Sequence, residues 1–246
     1  MMYMQQQSIK TSIGILVLFS LLVIGGLFLG KKQYEQKELS NPASFENINI
    51  EKVSSSKTYP GFEITLSYPK TGIVAIDTII ANSVNESAQA FMDDVGSERL
   101  PEEEAYTFNA SFDTHIGLRT ITFVYTFSDY TYGAHGNHVV KTFTFDLQDR
   151  LITLEDVFVD VDTALVTLAP HVVDILKLTL EEMFDNDWAK DGTTPTQINY
   201  SSFYLTKDSV GFIFDPYQVA PFAAGISEIE IPFSEYKELF KNTYTQ

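Results

Sequence analysis

Apolar and polar positions alternate along this chain with two periods, and the switches between them mark out its elements. Ile73, Ile76, Ile80, Val84, Ala88, Phe91 and Val95 recur at helical spacing, which puts one apolar stripe on a helix. Ile121, Phe123, Tyr125 and Phe127 alternate with Thr120, Thr122, Val124 and Thr126, as in a strand with one face on a core. The same period returns where Val139, Lys141, Phe143, Phe145 and Leu147 are set against Val140, Thr142, Thr144 and Asp146. Two earlier strands, near Ile48–Ser56 and Phe62–Tyr68, are broken by Pro60-Gly61. Another precedes Ile121 within "AYTFNASFDTHIGLRTITFVYTF".

Further along, Thr153 and Asp156 have the spacing to cap a short helical turn. A long apolar helix opens at Asp162 and is expected to bend or restart at Pro170. "SFYLTKDSVGFIFDPY" reads as a hairpin turning at Lys207-Asp208-Ser209, followed by one more strand and a short helix capped at Ser234. Strands and helices come in blocks rather than as repeated βαβ units. The expected class is therefore α+β, with antiparallel sheets each packed by a helix. The order of elements suggests two small modules, over 46–128 and 129–242.

Ahead of them, Ile13 to Gly30 is an uncharged run of bilayer-spanning length. It ends in "GLFLGKKQ", a poor cleavage site, so an uncleaved signal anchor is expected in preference to a cleaved secretory signal. On that reading 1–12 is a short cytoplasmic tail and 31–45 a polar stalk. The protein then sits in the cell membrane as a single-pass chain, its C-terminal part outside the cytoplasm.

Composition narrows the chemistry. The absence of cysteine removes disulfides, thiolate metal sites and cysteine nucleophiles. A net charge of −17 argues against nucleic acid and favours basic partners or divalent cations, or in the blander reading only keeps the domain soluble. No GxSxG occurs, and carboxylate groups such as Glu102, Glu103 and Glu104, Asp93 and Asp94, or Glu181, Glu182, Asp185 and Asp187 read as solvated helix ends.

Three stretches, "YTYGAHGNHVVKTFTFDL", "LITLEDVF" and "FYLTKDSVGFIFDPYQVAPFAAGISEIEIPFSEYKELF", resemble in order a bacterial domain family of unknown function, the 3298 type. That domain closes lysozyme-sensing anti-sigma factors of the RsiV type. "YPGFEITLSYPK" and the helix after it are similar to the module that precedes the catalytic domain in peptidoglycan deacetylases of the PdaC type. The resemblance spans most of 45–240. It implies a sensing or binding ectodomain without either output, because the chain shows neither a sigma-gripping segment nor deacetylase metal motifs. The partner it implies is a basic, lysozyme-like protein, which an acidic surface attracts at long range.

Two loops carry the candidate ligand-binding residues: Tyr132, His135, Asn137 and His138 in the first, Tyr217 and Phe222 of "DPYQVAPFAAG" in the second. Function concentrates on shaped loops. The blander reading makes the first a hairpin loop in which Gly133 and Gly136 supply φ > 0 or close backbone approach. It also folds Tyr217 and Phe222 inward. A metal site at His135 and His138 needs Asp129 or Asp113 as a third ligand, and HxxH outside a helix has no enforced geometry. Trp188, beside Asp187, is either an interface anchor or a cap on the core. No catalytic residue, metal or cofactor is assigned. The expected function is non-catalytic binding or sensing at the envelope, of a basic lysozyme-like protein or of wall peptidoglycan. The alternatives are a wall-modifying hydrolase or deacetylase-accessory protein using His135 or His138, and a structural envelope protein.

Overall fold

The computed structural model describes residues 44–95 and 105–245. The expected tail, the membrane span and all but the end of the stalk lie outside the described residues, as do Glu102, Glu103 and Glu104. The elements run β1 (Glu51–Tyr59), β2 (Phe62–Lys70), α1 (Val74–Val95), β3 (Tyr106–Ile116), β4 (Thr120–Tyr130) and β5 (Asn137–Asp146). They continue with α2 (Leu154–Val157), α3 (Val161–Leu180), α4 (Asn186–Gly192), β6 (Phe203–Leu205), β7 (Ser209–Phe214), β8 (Ser227–Pro232) and α5 (Asn242–Thr245).

Strands β1 to β5 form one sheet in sequence order, and β6 to β8 form a second. All pairings are antiparallel except β2 with β3, which run parallel because α1 carries the chain back between them. The mixed α+β class is as expected. The division expected after residue 128 falls inside β4, near its end, and β4 pairs with β5 from Thr120↔Asp146 to Asp129↔Asn137. β5 therefore closes the first sheet rather than opening a second module.

Alternation decides which way each face looks. Ile121, Phe123, Tyr125, Phe127, Phe143 and Phe145 point to one side and pack with Ile64, Leu66 and Phe108 under the apolar stripe of α1. That stripe comprises Ile76, Ile80, Val84, Ala88, Phe91 and Val95. The opposite face is lined with threonine, and Thr120, Thr122 and Thr144 on it are buried. The second sheet covers it. At the free edge of β6, Phe203 N–H donates to Thr142 Oγ1 at 3.1 Å, and Thr144 Oγ1 donates to the Phe203 carbonyl at 3.3 Å. Hydroxyls that look like solvent-facing positions in the sequence thus close the edge of a neighbouring strand.

Tyr204 strengthens this junction. Its ring stacks on His115 at 3.8 Å and lies over Gly211, where a Cβ would come 2.0 Å from the ring. Its hydroxyl lies 2.5 Å from Glu228 Oε1 and 2.8 Å from Glu230 Oε1. Burial and these two carboxylates push the Tyr204 phenol far up.

Beyond the second sheet lies α3, whose buried residues Ala164, Leu165, Leu168, Val172 and Leu176 pack with Phe203, Leu205, Phe212, Phe214 and Ile229. The layers are thus α1, first sheet, second sheet, α3. Three local expectations change. The cap of α3 is Asp160, which accepts from Thr163 N–H at 2.8 Å, rather than Asp162. The helix also runs unbroken through Pro170, because proline and the freed carbonyl of Val166 both sit on its exposed side. Ser234, finally, caps no α-helix and lies inside the 3₁₀ turn Phe233–Glu235. Thr153 and Asp156 do form the expected capping box.

Candidate functional site

The first loop is held by its exit. Residues 131–136 join β4 to β5, and Gly136 leaves no room for a side chain, since a Cβ there would meet the Asp129 carbonyl at 2.8 Å. Gly133 is not in this position: its φ is not positive and its nearest neighbour is 3.9 Å away. The left-handed turn is made by Tyr132 instead, at φ +62°.

The second loop, Asp215 to Gly225, is held by half-buried polar bonds. Asp215 Oδ1 accepts from Val140 N–H in β5 at 2.6 Å, and Ser202 Oγ donates to the Val140 carbonyl at 3.0 Å. Burial pushes the Asp215 carboxyl up, while the Val140 N–H holds it partly down. Gln218 Nε2 donates to the carbonyls of Gly192 at 3.1 Å and Asn199 at 3.0 Å. Only glycine fits at 192, because a Cβ would lie 1.9 Å from the Gln218 carbonyl. These bonds fix Tyr217, which stands at φ +71° and is 54% exposed. A left-handed, half-exposed tyrosine is strained backbone kept by its surroundings.

The two loops meet. His135 stacks on Phe222 with centroids 3.7 Å apart, and Phe222 lies 5.4 Å from Tyr217 and 6.2 Å from His138. Trp188 of α4 extends the group, its ring within 10° of parallel to Tyr217 and its Nε1–H donating to the Tyr217 carbonyl at 2.8 Å. His135 Nδ1 lies 2.8 Å from the Gly136 carbonyl, which can only accept, so Nδ1 carries the proton. Nε2 is left as an acceptor for the Tyr217 hydroxyl, 3.4 Å away. Three carboxylates share this short helix and its cap with the tryptophan: Asp185, whose side chain accepts from Asp187 and Trp188 N–H, and the exposed Asp187 and Asp191.

Of the six expected ligand-binding residues, His135, His138, Tyr217 and Phe222 form this group. Tyr132 packs instead with Tyr106 at 5.2 Å and Tyr130 at 5.5 Å, and Asn137 is an exposed strand residue opposite Asp129. Trp188 belongs to the group and the sequence did not place it there. Its signal was a lone tryptophan in an acidic helix, with nothing to tie it to a loop 29 residues further on. Among the described residues, no three His, Asp or Glu side chains gather as metal ligands.

Similarity to known proteins fits this organisation. A DUF3298 domain, described as a protein of unknown function, is present at residues 155–234. The chain is 26% identical over 219 residues to the peptidoglycan-N-acetylmuramic acid deacetylase PdaC of Bacillus subtilis strain 168. The match covers 87% of this chain and 46% of PdaC, so the chain spans less than half of that relative's length. A crystal structure of a DUF3298 member from Bacteroides fragilis matches with TM-score 0.52 and 17% identity, covering 81% of this chain and 96% of that one. One from Pseudomonas aeruginosa matches with TM-score 0.59 and 15% identity, over 80% of this chain and 96% of that one. At these identities the two structures speak for the fold.

Proposed function

We propose that this chain is a non-catalytic binding module of the bacterial cell envelope, anchored by residues 13–30, whose ligand is a basic protein of the lysozyme type. The observation that carries it is the ring group of His135, Phe222, Tyr217 and Trp188. Three segments distant in sequence assemble it, and half-buried bonds from Asp215 and Gln218 hold it. Immobilised aromatic rings are typical of binding surfaces, since they offer large contact area at little further entropy cost. Rings flanked by Asp185, Asp187 and Asp191 suit lysine and arginine side chains, by cation–π attraction and by charge. The net charge of −17 adds long-range steering toward a basic partner.

Wall glycan is the second reading. It is favoured by the near-parallel planes of Trp188 and Tyr217, which suit a sugar ring, and by the peptidoglycan named in the PdaC description.

The test is calorimetric titration of the full chain in detergent with a basic lysozyme, at low and high salt. A basic protein of unrelated shape serves as control. Binding that survives high salt, excludes the control and weakens at least about tenfold in Tyr217→Ala or Trp188→Ala supports the module. Binding shared with the control, or lost at high salt, reduces it to bulk charge. If lysozyme fails and muropeptides bind with the same sensitivity to Tyr217→Ala, the glycan reading replaces it.

A further inference from the structure

The two sheets have four outer edges among the described residues, and they are treated differently. The edge of β5 is closed: Val140 gives its N–H to Asp215 and its carbonyl to Ser202, and the Thr144 carbonyl accepts from Ile152 N–H at 2.8 Å. Thr142 and Thr144 close the edge of β6. The edge of β8 is short, ends in Pro232 and carries Glu228 and Glu230, so pairing with itself would oppose like charges. The edge of β1 runs for nine residues without a proline, and its charges, Glu51, Lys52 and Lys57, are of mixed sign rather than alike. Among the described residues, its backbone bonds to nothing beyond β2. α1 lies over β2 and β3 and leaves β1 uncovered.

We propose that β1 is the interface of a homodimer, formed by antiparallel pairing of β1 with β1 of a second copy about a two-fold axis at Ser54. The charges select both the occupant and the register. With the axis at Ser54, Glu51 faces Lys57 of the second copy, Lys52 faces Ser56 and Val53 faces Ser55. The two-fold repeats each pair, giving two Glu51–Lys57 contacts and no like-charge contact. The neighbouring axes that the pleat allows, at Val53 or at Ser55, lose both Glu51–Lys57 contacts. Glu51 already pairs across the sheet with Lys70 at 3.3 Å, so Lys57 of the second copy would complete a carboxylate between two cations. An axis normal to the sheet keeps both copies of α1 on one face, and the two first sheets become continuous. β1 lies at the far edge from β5, so the dimer leaves the aromatic loop group free. The polar character of Ser54, Ser55 and Ser56 suits a specific backbone-paired interface rather than a sticky apolar one.

The chain has no cysteine, which makes the test direct. Ser54→Cys would place two thiols opposite each other at the axis, within the reach of a disulfide. The full chain carrying Ser54→Cys, oxidised in membranes and run without reductant, is expected to migrate as a dimer. Val74→Cys, at a residue 74% exposed on α1, is expected to stay monomeric. In the Ser54→Cys background, Glu51→Lys is expected to weaken dimerisation about tenfold at low salt, since it turns two attractive pairs repulsive. Lys57→Glu is expected to do the same, and the double exchange to restore the dimer. The proposal is overturned if Ser54→Cys stays monomeric, if Val74→Cys cross-links equally, or if the double exchange gives no rescue. An extended peptide of another protein on this edge would leave the chain monomeric and so count against it.

Discussion

At the scale of single residues, Asp215 decides how the loop site is held. Its carboxylate is half-buried and takes the Val140 N–H, and this burial raises its pKa above the ordinary 3.8. A carboxyl with a raised folded-state pKa holds its proton more tightly in the folded protein than in the unfolded chain. Its contribution is therefore fully present below the ordinary carboxylate pKa and is lost as pH rises through the folded value. Asp215→Asn keeps an acceptor for Val140 and removes the titration. Its stability relative to the wild type should rise as pH increases from the ordinary carboxylate pKa through the raised folded value, as read from urea midpoints. A gap that stays constant over that range would mean Asp215 does not feel its burial. Sequence alone showed the histidines and two of the aromatics, because small residues and turn residues flank them. It could not show Asp215 against Val140 or Gln218 against Gly192. Each of these is a close approach between segments far apart in the chain, and no local pattern encodes it.

At the scale of elements, periodicity was a good guide where one face decides burial. The stripe of α1 and the alternation of β4 both appear in the core as read. It failed where solvent offers an alternative. Pro170 looked like a break, yet α3 passes through it because the carbonyl of Val166 lies on the exposed side and water can take its bond. The helix therefore carries a local cost that its packed face offsets. Pro170→Ala restores the missing N–H on an exposed turn and should stabilise the protein by about 1–3 kcal/mol. The denaturant midpoint should rise with unchanged m-value. A fall would show that the ring of Pro170 contributes packing that outweighs the backbone bond.

At the scale of the whole molecule, nothing in the residue pattern tells which sheet a strand joins. β5 alternates as expected, but the division after residue 128 assigned it to a different sheet from β4, because periodicity reports faces and not partners. In the structure Phe143 and Phe145 of β5 fill the core beneath α1, while Thr142 and Thr144 on its other face bond to β6. One strand thus fills the core under α1 and bonds to the second sheet with its other face. Cutting the chain after residue 128 would leave Phe143, Phe145 and Leu147 without their cover. Each apolar side chain stripped of burial costs about 1.5–3 kcal/mol, so three together rival the whole stability of a domain. A fragment of residues 129–246 should therefore show no cooperative urea transition, while the full chain unfolds the two sheets in one step. A sharp transition in the fragment would instead establish two separable modules, with β5 able to find other cover. It would also free the aromatic loop site from any dependence on the first sheet, since that site's Val140 anchor would then fold with the fragment.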